Sequence, residues 1–229
     1  MRKILSFSLW GNDPKYLDGM RANVELAAKW YPGWTVMIHC PIDTMYELGV
    51  SGVAYQIKKS IIVSSGLFWR ILPATSWCND IVCVRDADSR IGERERDAVA
   101  EFESGPYALH VMRDHPAHGA EIMGGMWGCR PQLLPKTFGS DLTIKEHEVY
   151  MGDGSNHVRQ KYEGRFGWMS DQPFLTRVLW DALPPSQILA HDDYRRYGDC
   201  RPFSVPKPTP RDFVGQVYSA TGEAKYECP

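Results

Sequence analysis

Asp86 and Asp88 are the residues of this 229-residue chain with the clearest chemical potential. They lie in Asp80-Ile-Val-Cys-Val-Arg-Asp86-Ala-Asp88-Ser-Arg90, just past a short apolar run. Two carboxylates one residue apart on an extended turn can both reach one divalent cation. Hard oxygen ligands of this kind suit Mg²⁺ or Mn²⁺, which keep waters and bridge to substrate phosphates. The competing reading is a capped turn, since Asp is common between a strand and a helix. Position favours the first reading. In open α/β sheets, ligands bind in the crevice outside the carboxyl ends of the strands.

That argument requires a sheet, and the pattern supplies one. Residues 3–9 read as a strand. Asp13-Pro14 then offers a cap and a proline at the first helical position. Leu17, Met20, Val24 and Ala27 or Ala28 recur at helical spacing, which predicts an amphipathic helix over 14–30 that ends at Pro32-Gly33. A strand is predicted from Trp34 to His39, a short helix near 43–48, a strand over 53–57 and a helix over 64–75. Ile81-Val-Cys-Val is a continuous apolar run, the mark of a strand buried on both faces of a parallel sheet. A helix near 92–103 and a strand over 107–112 continue the alternation, which is that of a doubly wound α/β fold. Past residue 113 the pattern loosens. A helix over 171–182, capped by Ser170, and a short strand at Ile188-Leu-Ala are the clearest later elements. Residues 201–229 carry five prolines and read as an extended tail.

Composition excludes several classes. The chain is 43% hydrophobic and 24% charged, ordinary for a globular protein rather than a disordered one. A net charge of -2 gives nucleic acid or an anionic membrane no overall pull. Nucleic acid is therefore not an expected partner. No apolar run approaches the ~18 residues of a spanning helix. The N-terminal apolar run is broken by serines and lacks a small-residue cleavage site, so it reads as a first strand rather than a leader, and the expected location is cytoplasmic. Cysteines at 40, 78, 83, 129, 200 and 228 include no C-x-x-C pair, and all are read as reduced thiols.

Phe68-Trp-Arg70-Ile-Leu-Pro-Ala, Arg85-Asp86-Ala-Asp88-Ser-Arg90 and Gly124-Gly125-Met-Trp127-Gly128 together resemble the GT-A class of nucleotide-sugar glycosyltransferases. The resemblance spans roughly residues 3–195 and is nearest the small single-domain enzymes of large viruses and bacterial polysaccharide loci. It implies one GT-A, Rossmann-like, mostly parallel sheet domain over 1–200, with residues 201–229 packed on it. It also implies Mn²⁺ or Mg²⁺ held by Asp86 and Asp88, a nucleoside-diphosphate sugar donor (a UDP-sugar is favoured) and a glycan or glycoprotein acceptor. Ser8, Leu9 and Trp10 would lie near the nucleotide base, although Trp10 equally well closes the core. Arg70 would offer positive charge to the nucleotide, or is an ordinary surface arginine. Gly125 would let backbone approach a sugar, with Trp127 as a flat apolar platform; a tight bend in a core hairpin is the alternative. Asp171 and Gln172 resemble the Asp-Gln pair that reaches donor sugar or acceptor at a helix start, a position that capping also explains. His191 would be a late metal ligand, or a surface histidine paired with Asp192 and Asp193.

Two other function classes compete. An Asp-nucleophile phosphohydrolase also places Asp-x-Asp after a strand, but needs Thr or Val two positions after the second Asp, where Arg90 stands, and uses the first strand. A sugar-binding module with aromatic platforms has no need of clustered carboxylates at a strand end. Metal-dependent glycosyl transfer is the expectation that accounts for most of the residues.

Overall fold

The computed structural model describes residues 1–58, 63–140 and 171–226. The N-terminal alternation builds half of a sheet. β1 (Lys3–Ser8), β2 (Thr35–Cys40), β3 (Ala54–Ile57) and β4 (Ile81–Arg85) run parallel, with β1 at the centre between β2 and β4. β5 (Leu109–Arg113), β6 (Met126–Cys129) and β7 (Ile188–Asp192) complete a seven-stranded sheet of order β3-β2-β1-β4-β6-β5-β7. β6 is antiparallel to both neighbours, and β5 pairs with β7 in parallel.

Local chemistry sets the helix ends. α1 (Pro14–Trp30) begins where the Asp13 carboxylate accepts from the Lys15 N–H at 2.9 Å, with Pro14 at the first helical position. Such a cap stabilises by ~1 kcal/mol. α2 (Ile42–Leu48) ends at Gly49, whose φ of 62° is the left-handed stop that glycine adopts without strain. The helix predicted over 64–75 is instead α3 (Val63–Trp69) followed by a 3₁₀ turn at Leu72–Thr75. Pro73 explains the break, because it lacks an N–H and disfavours helical geometry in the residue before it. α4 (Glu93–Ser104) follows β4. The helix predicted over 171–182 is α5 (Asp171–Leu175) running into a π-helical turn at Thr176–Trp180, where the Asp181 N–H donates to the Thr176 carbonyl at 2.9 Å. The Ser170 cap lies outside the described residues.

Helices cover both faces, as a mostly parallel sheet demands. Leu17 and Met20 of α1 with Val99 and Phe102 of α4 pack on Leu5, Phe7, Ile38 and Cys83. Phe68 of α3 with Phe174 and Leu175 of α5 pack on Ile4, Val82, Val84 and Trp127 from the other side. The result is a single doubly wound domain. Residues beyond β7 return across it: Arg201 bridges to His191, and Phe203 and Val214 join a small core with Ala98, Met112 and Met126. Among the described residues no helix is long and apolar enough to cross a membrane.

Candidate active site

The strand order reverses at β1 and β4. β2 and β3 lie to one side of β1, and β6, β5 and β7 lie beyond β4. The crevice at such a switch point, outside the carboxyl ends of the strands, is where open α/β sheets bind ligands. Ser8 ends β1 and Arg85 ends β4, so the loops that follow them, with Trp10 and with Asp86–Asp88, flank that crevice.

The acidic loop is held from beneath by α1. The Asn23 side chain, fully buried, donates to the carbonyls of Ala87 at 3.3 Å and Ser89 at 2.8 Å and accepts from the Ile91 N–H at 3.1 Å. Gly19, one turn earlier, lets the helix approach until a Cβ there would stand 2.2 Å from the Ala87 carbonyl oxygen. The Ser89 hydroxyl donates to the Asp86 carbonyl at 3.0 Å. From the far end of the chain, the Tyr218 N–H donates to the Asp88 carbonyl at 2.9 Å. Every side of this loop is tied.

Charge is balanced residue by residue. Arg70 follows α3, its N–H donates to the Ser8 hydroxyl at 2.8 Å, and its guanidinium pairs with Asp86 and, at 2.8 Å, with Asp171. Lys15 reaches Asp88 with its Nζ 2.5 Å from Oδ2. Burial raises the Asp88 carboxyl above its ordinary value and the neighbouring charge of Asp86 adds to this, against the pull of Lys15. Burial likewise raises Asp171, opposed by Arg70. Burial works against the Lys15 ammonium, yet its hydrogen bond and charge pairing with Asp88 leave it raised. Burial also disfavours the Arg70 cation, and Asp86 and Asp171 more than offset that.

Gly124 and Gly125 serve this cluster. A Cβ on Gly124 would stand 2.5 Å from the Asp171 carboxylate, and one on Gly125 would stand 2.0 Å from that of Asp86. The space that was expected to admit a sugar is therefore filled by acidic side chains. Trp127 is fully buried in the core, its indole N–H donating to the Gly124 carbonyl at 3.2 Å, so the core alternative holds and it is no platform. Leu9 is also buried core, its N–H donating to the His39 carbonyl at 3.0 Å. Trp10 lies half-buried against Gly66 and edge-on to Trp69, ring centroids 6.1 Å apart. Gln172 is half-buried beside Asp171. Arg85 is fully buried on Glu95 at 2.7 Å and acts as structure.

His191 is not brought to the acidic pair. It sits on edge strand β7, with β5 and β6 between it and β4. Its Nδ1 meets His110 Nε2 at 2.9 Å, and its Nε2 meets Glu101 at 3.1 Å. The metal-ligand expectation is corrected by that distance in the sheet. Burial lowers its pKa to about 4, so it is neutral near pH 7. A groove of about 670 Å³ also runs along β7, lined by Trp180, Tyr197 and Arg201, and shares no residue with the site around Asp86.

Sequence reasoning missed Lys15, Gly19, Asn23 and Tyr218. Two of them left a signal. Glycine and asparagine are both poor helix formers, and here they stand four residues apart, on one side of α1.

A divalent cation fits the Asp86–Asp88 pair. Both carboxylates stand on one short loop, the charge of Asp86 adds to burial in disfavouring ionisation of Asp88, and their oxygens are the hard donors that Mg²⁺ and Mn²⁺ take. Among the described residues no group of three or more His, Cys, Asp or Glu side chains is arranged to hold a metal. Water and substrate oxygens would have to fill the remaining coordination positions.

No protein-family model matches the chain, and none of the curated proteins does. Among solved structures it is similar to a glycosyltransferase involved in the glycosylation of the major capsid of PBCV-1, with 15% identity and a TM-score of 0.44, over 83% of this chain and 80% of that one. It is similar to the glycosyltransferase GlyE of Streptococcus pneumoniae TIGR4, with 14% identity and a TM-score of 0.47, over 84% of this chain and 45% of that one. It is also similar to a 4-diphosphocytidyl-2C-methyl-D-erythritol synthase from Anaerococcus prevotii DSM 20548, with 7% identity and a TM-score of 0.48, over 84% of this chain and 90% of that one.

Proposed function

We propose that the protein is a metal-dependent glycosyltransferase that moves a sugar from a nucleoside-diphosphate sugar, a UDP-sugar in the favoured case, to a hydroxyl of a glycan or glycoprotein. The observation that carries this reading is the guanidinium of Arg70, which joins Asp86 from the loop after β4 to Asp171 at the start of α5. Two motifs 85 residues apart thereby become one acidic site at the switch point of the sheet.

Asp86 and Asp88 would hold the Mn²⁺ or Mg²⁺. When bound, the cation supplies positive charge where the nucleoside diphosphate departs. Arg70 keeps a permanent charge at the same rim, and the half-exposed Trp10 offers a ring edge where the base enters. The acceptor hydroxyl oxygen bonds to the anomeric carbon as the bond from that carbon to the diphosphate oxygen breaks; the diphosphate leaves with the electron pair, and the hydroxyl proton passes to a departing phosphate oxygen or to water. Asp171 is 2% exposed with its carboxylate on Arg70, so its part is to position that guanidinium rather than to touch the sugar.

Thermal-shift measurement with nucleoside diphosphates and nucleotide sugars, with and without Mn²⁺, tests the reading. A ligand at 100 times its Kd stabilises the native state by ~2.7 kcal/mol. One nucleotide series should raise the melting temperature, and only with the metal present. Asp88→Ala should abolish that metal-dependent shift and sugar transfer together while leaving the ligand-free protein folded. Undiminished transfer by purified Asp88→Ala overturns the assignment.

A further inference from the structure

Asp86 has its cation in Arg70, and Asp88 has its cation in Lys15. The Lys15 ammonium lies 2.5 Å from Asp88 Oδ2, and the two side chains are only 23% and 12% exposed. The backbone at Lys15 is fixed, because its N–H is bonded to the Asp13 cap. Its ammonium also lies over the Tyr16 ring, 4.7 Å from the centroid. The four-carbon stem is flexible, so the charge can move while the helix stays. A divalent cation that takes both carboxylates therefore has to remove an ammonium from one of them.

We propose that Lys15 is a resident counter-ion that competes with the divalent cation for Asp88 and, once displaced, pairs with the anionic phosphates of the bound nucleotide. The inference rests on the reading of Asp86 and Asp88 given above and adds an order to it. In the free protein the ammonium holds the cation's place, and metal alone binds weakly. A diphosphate offers the displaced ammonium a new partner, so metal and diphosphate each strengthen the binding of the other by the same factor. The arrangement also keeps Asp88 paired in the resting protein, where a largely desolvated carboxylate without a partner would destabilise the loop.

The test is titration of Mn²⁺ into the wild type, Lys15→Met and Lys15→Gln, with protein-bound Mn²⁺ followed by the enhancement of water-proton relaxation, which small Mn²⁺–pyrophosphate complexes do not give. It is run alone and with saturating pyrophosphate, a probe that carries no base. Alone, both variants should bind Mn²⁺ about tenfold tighter than wild type, the size of one charge-assisted hydrogen bond. Pyrophosphate should restore the wild type to within about twofold of the variants. Both variants should melt lower than wild type without metal and gain more on its addition. Variants that bind Mn²⁺ no tighter than wild type show Lys15 to be a structural ion pair and overturn the proposal while leaving the metal site standing. An advantage that pyrophosphate leaves unchanged overturns the transfer of Lys15 to phosphate. Absence of Mn²⁺ binding in all three proteins, with and without pyrophosphate, overturns the reading of the site itself.

Discussion

At Asp171 burial and pairing pull against each other. The carboxylate is almost fully enclosed, and the 2.8 Å bond from Arg70 offsets much of the cost of its charge. Removing it leaves a buried guanidinium with Asp86 alone, and breaking a buried pair costs ~3–5 kcal/mol. Asp171→Ala is therefore expected to lower the melting temperature markedly and to slow transfer, because Arg70 and Asp86 lose their placement. Asp171→Glu, which restores the charge, should recover part of both. A variant that loses transfer at an unchanged melting temperature would instead show Asp171 acting directly on the sugar. Sequence reasoning found this residue through the resemblance of Asp171-Gln172 to an Asp-Gln pair at a helix start, but could not see that its partner would be Arg70, 101 positions away. The acidic pair was legible for the opposite reason, since strand, loop and chemistry are contiguous there.

The elements were readable where one pattern served one role. β1, α1 and β4 follow from apolar periodicity and from capping at Asp13-Pro14. β6 was missed because Met126–Cys129 is four residues long, contains Gly128 and shows no alternation. That omission left Trp127 open between a platform and a core position, which a strand between β4 and β5 decides for the core. His191 was misread for a related reason: a residue at a strand end is near the site only if its strand is near β4, and order in the chain does not reveal order in the sheet. At this scale α1 is the element to perturb. Gly19→Ala would drive a Cβ into the Ala87 carbonyl, and backbone gives way poorly, so overpacking of ~1–3 kcal/mol is expected. The shift should reach Asp88 through the same loop, lowering Mn²⁺-dependent binding as well as the denaturation midpoint. A variant of wild-type stability and metal affinity would show that the contact relaxes without moving the loop.

Over the whole molecule, buried histidines dominate the response to mild acid. His39 on β2 and His118 have pKa values lowered by burial to about 3, and His191 to about 4, and burial also holds His110 well below the usual imidazole range. Among the described residues, neither ring nitrogen of His39 has a hydrogen-bond partner. The unfolded chain takes up these protons near pH 6.5 and the folded chain resists, so stability is complete above that pH and falls below it. Each histidine contributes a slope of up to about 1.4 kcal/mol per pH unit between its unfolded and folded values. Melting temperature should therefore drop steadily from pH 6.5 toward 4.5, before most carboxylates titrate. His39→Leu should flatten that decline by close to one proton's share. An unchanged slope would mean that His39 is not protonated on unfolding in this range.

The bond from the Tyr218 N–H to the Asp88 carbonyl has a meaning in time as well as in space. Asp88 leaves the ribosome early, with its strand and the helix beneath it. Its last backbone tie is made by a residue that has not yet been synthesised, and at ~5–20 residues per second that residue follows on the order of ten seconds later. Through that interval the nascent sheet can form while the acidic loop stays unfastened. The last backbone tie of the acidic loop therefore closes only as the chain beyond β7 is laid across it.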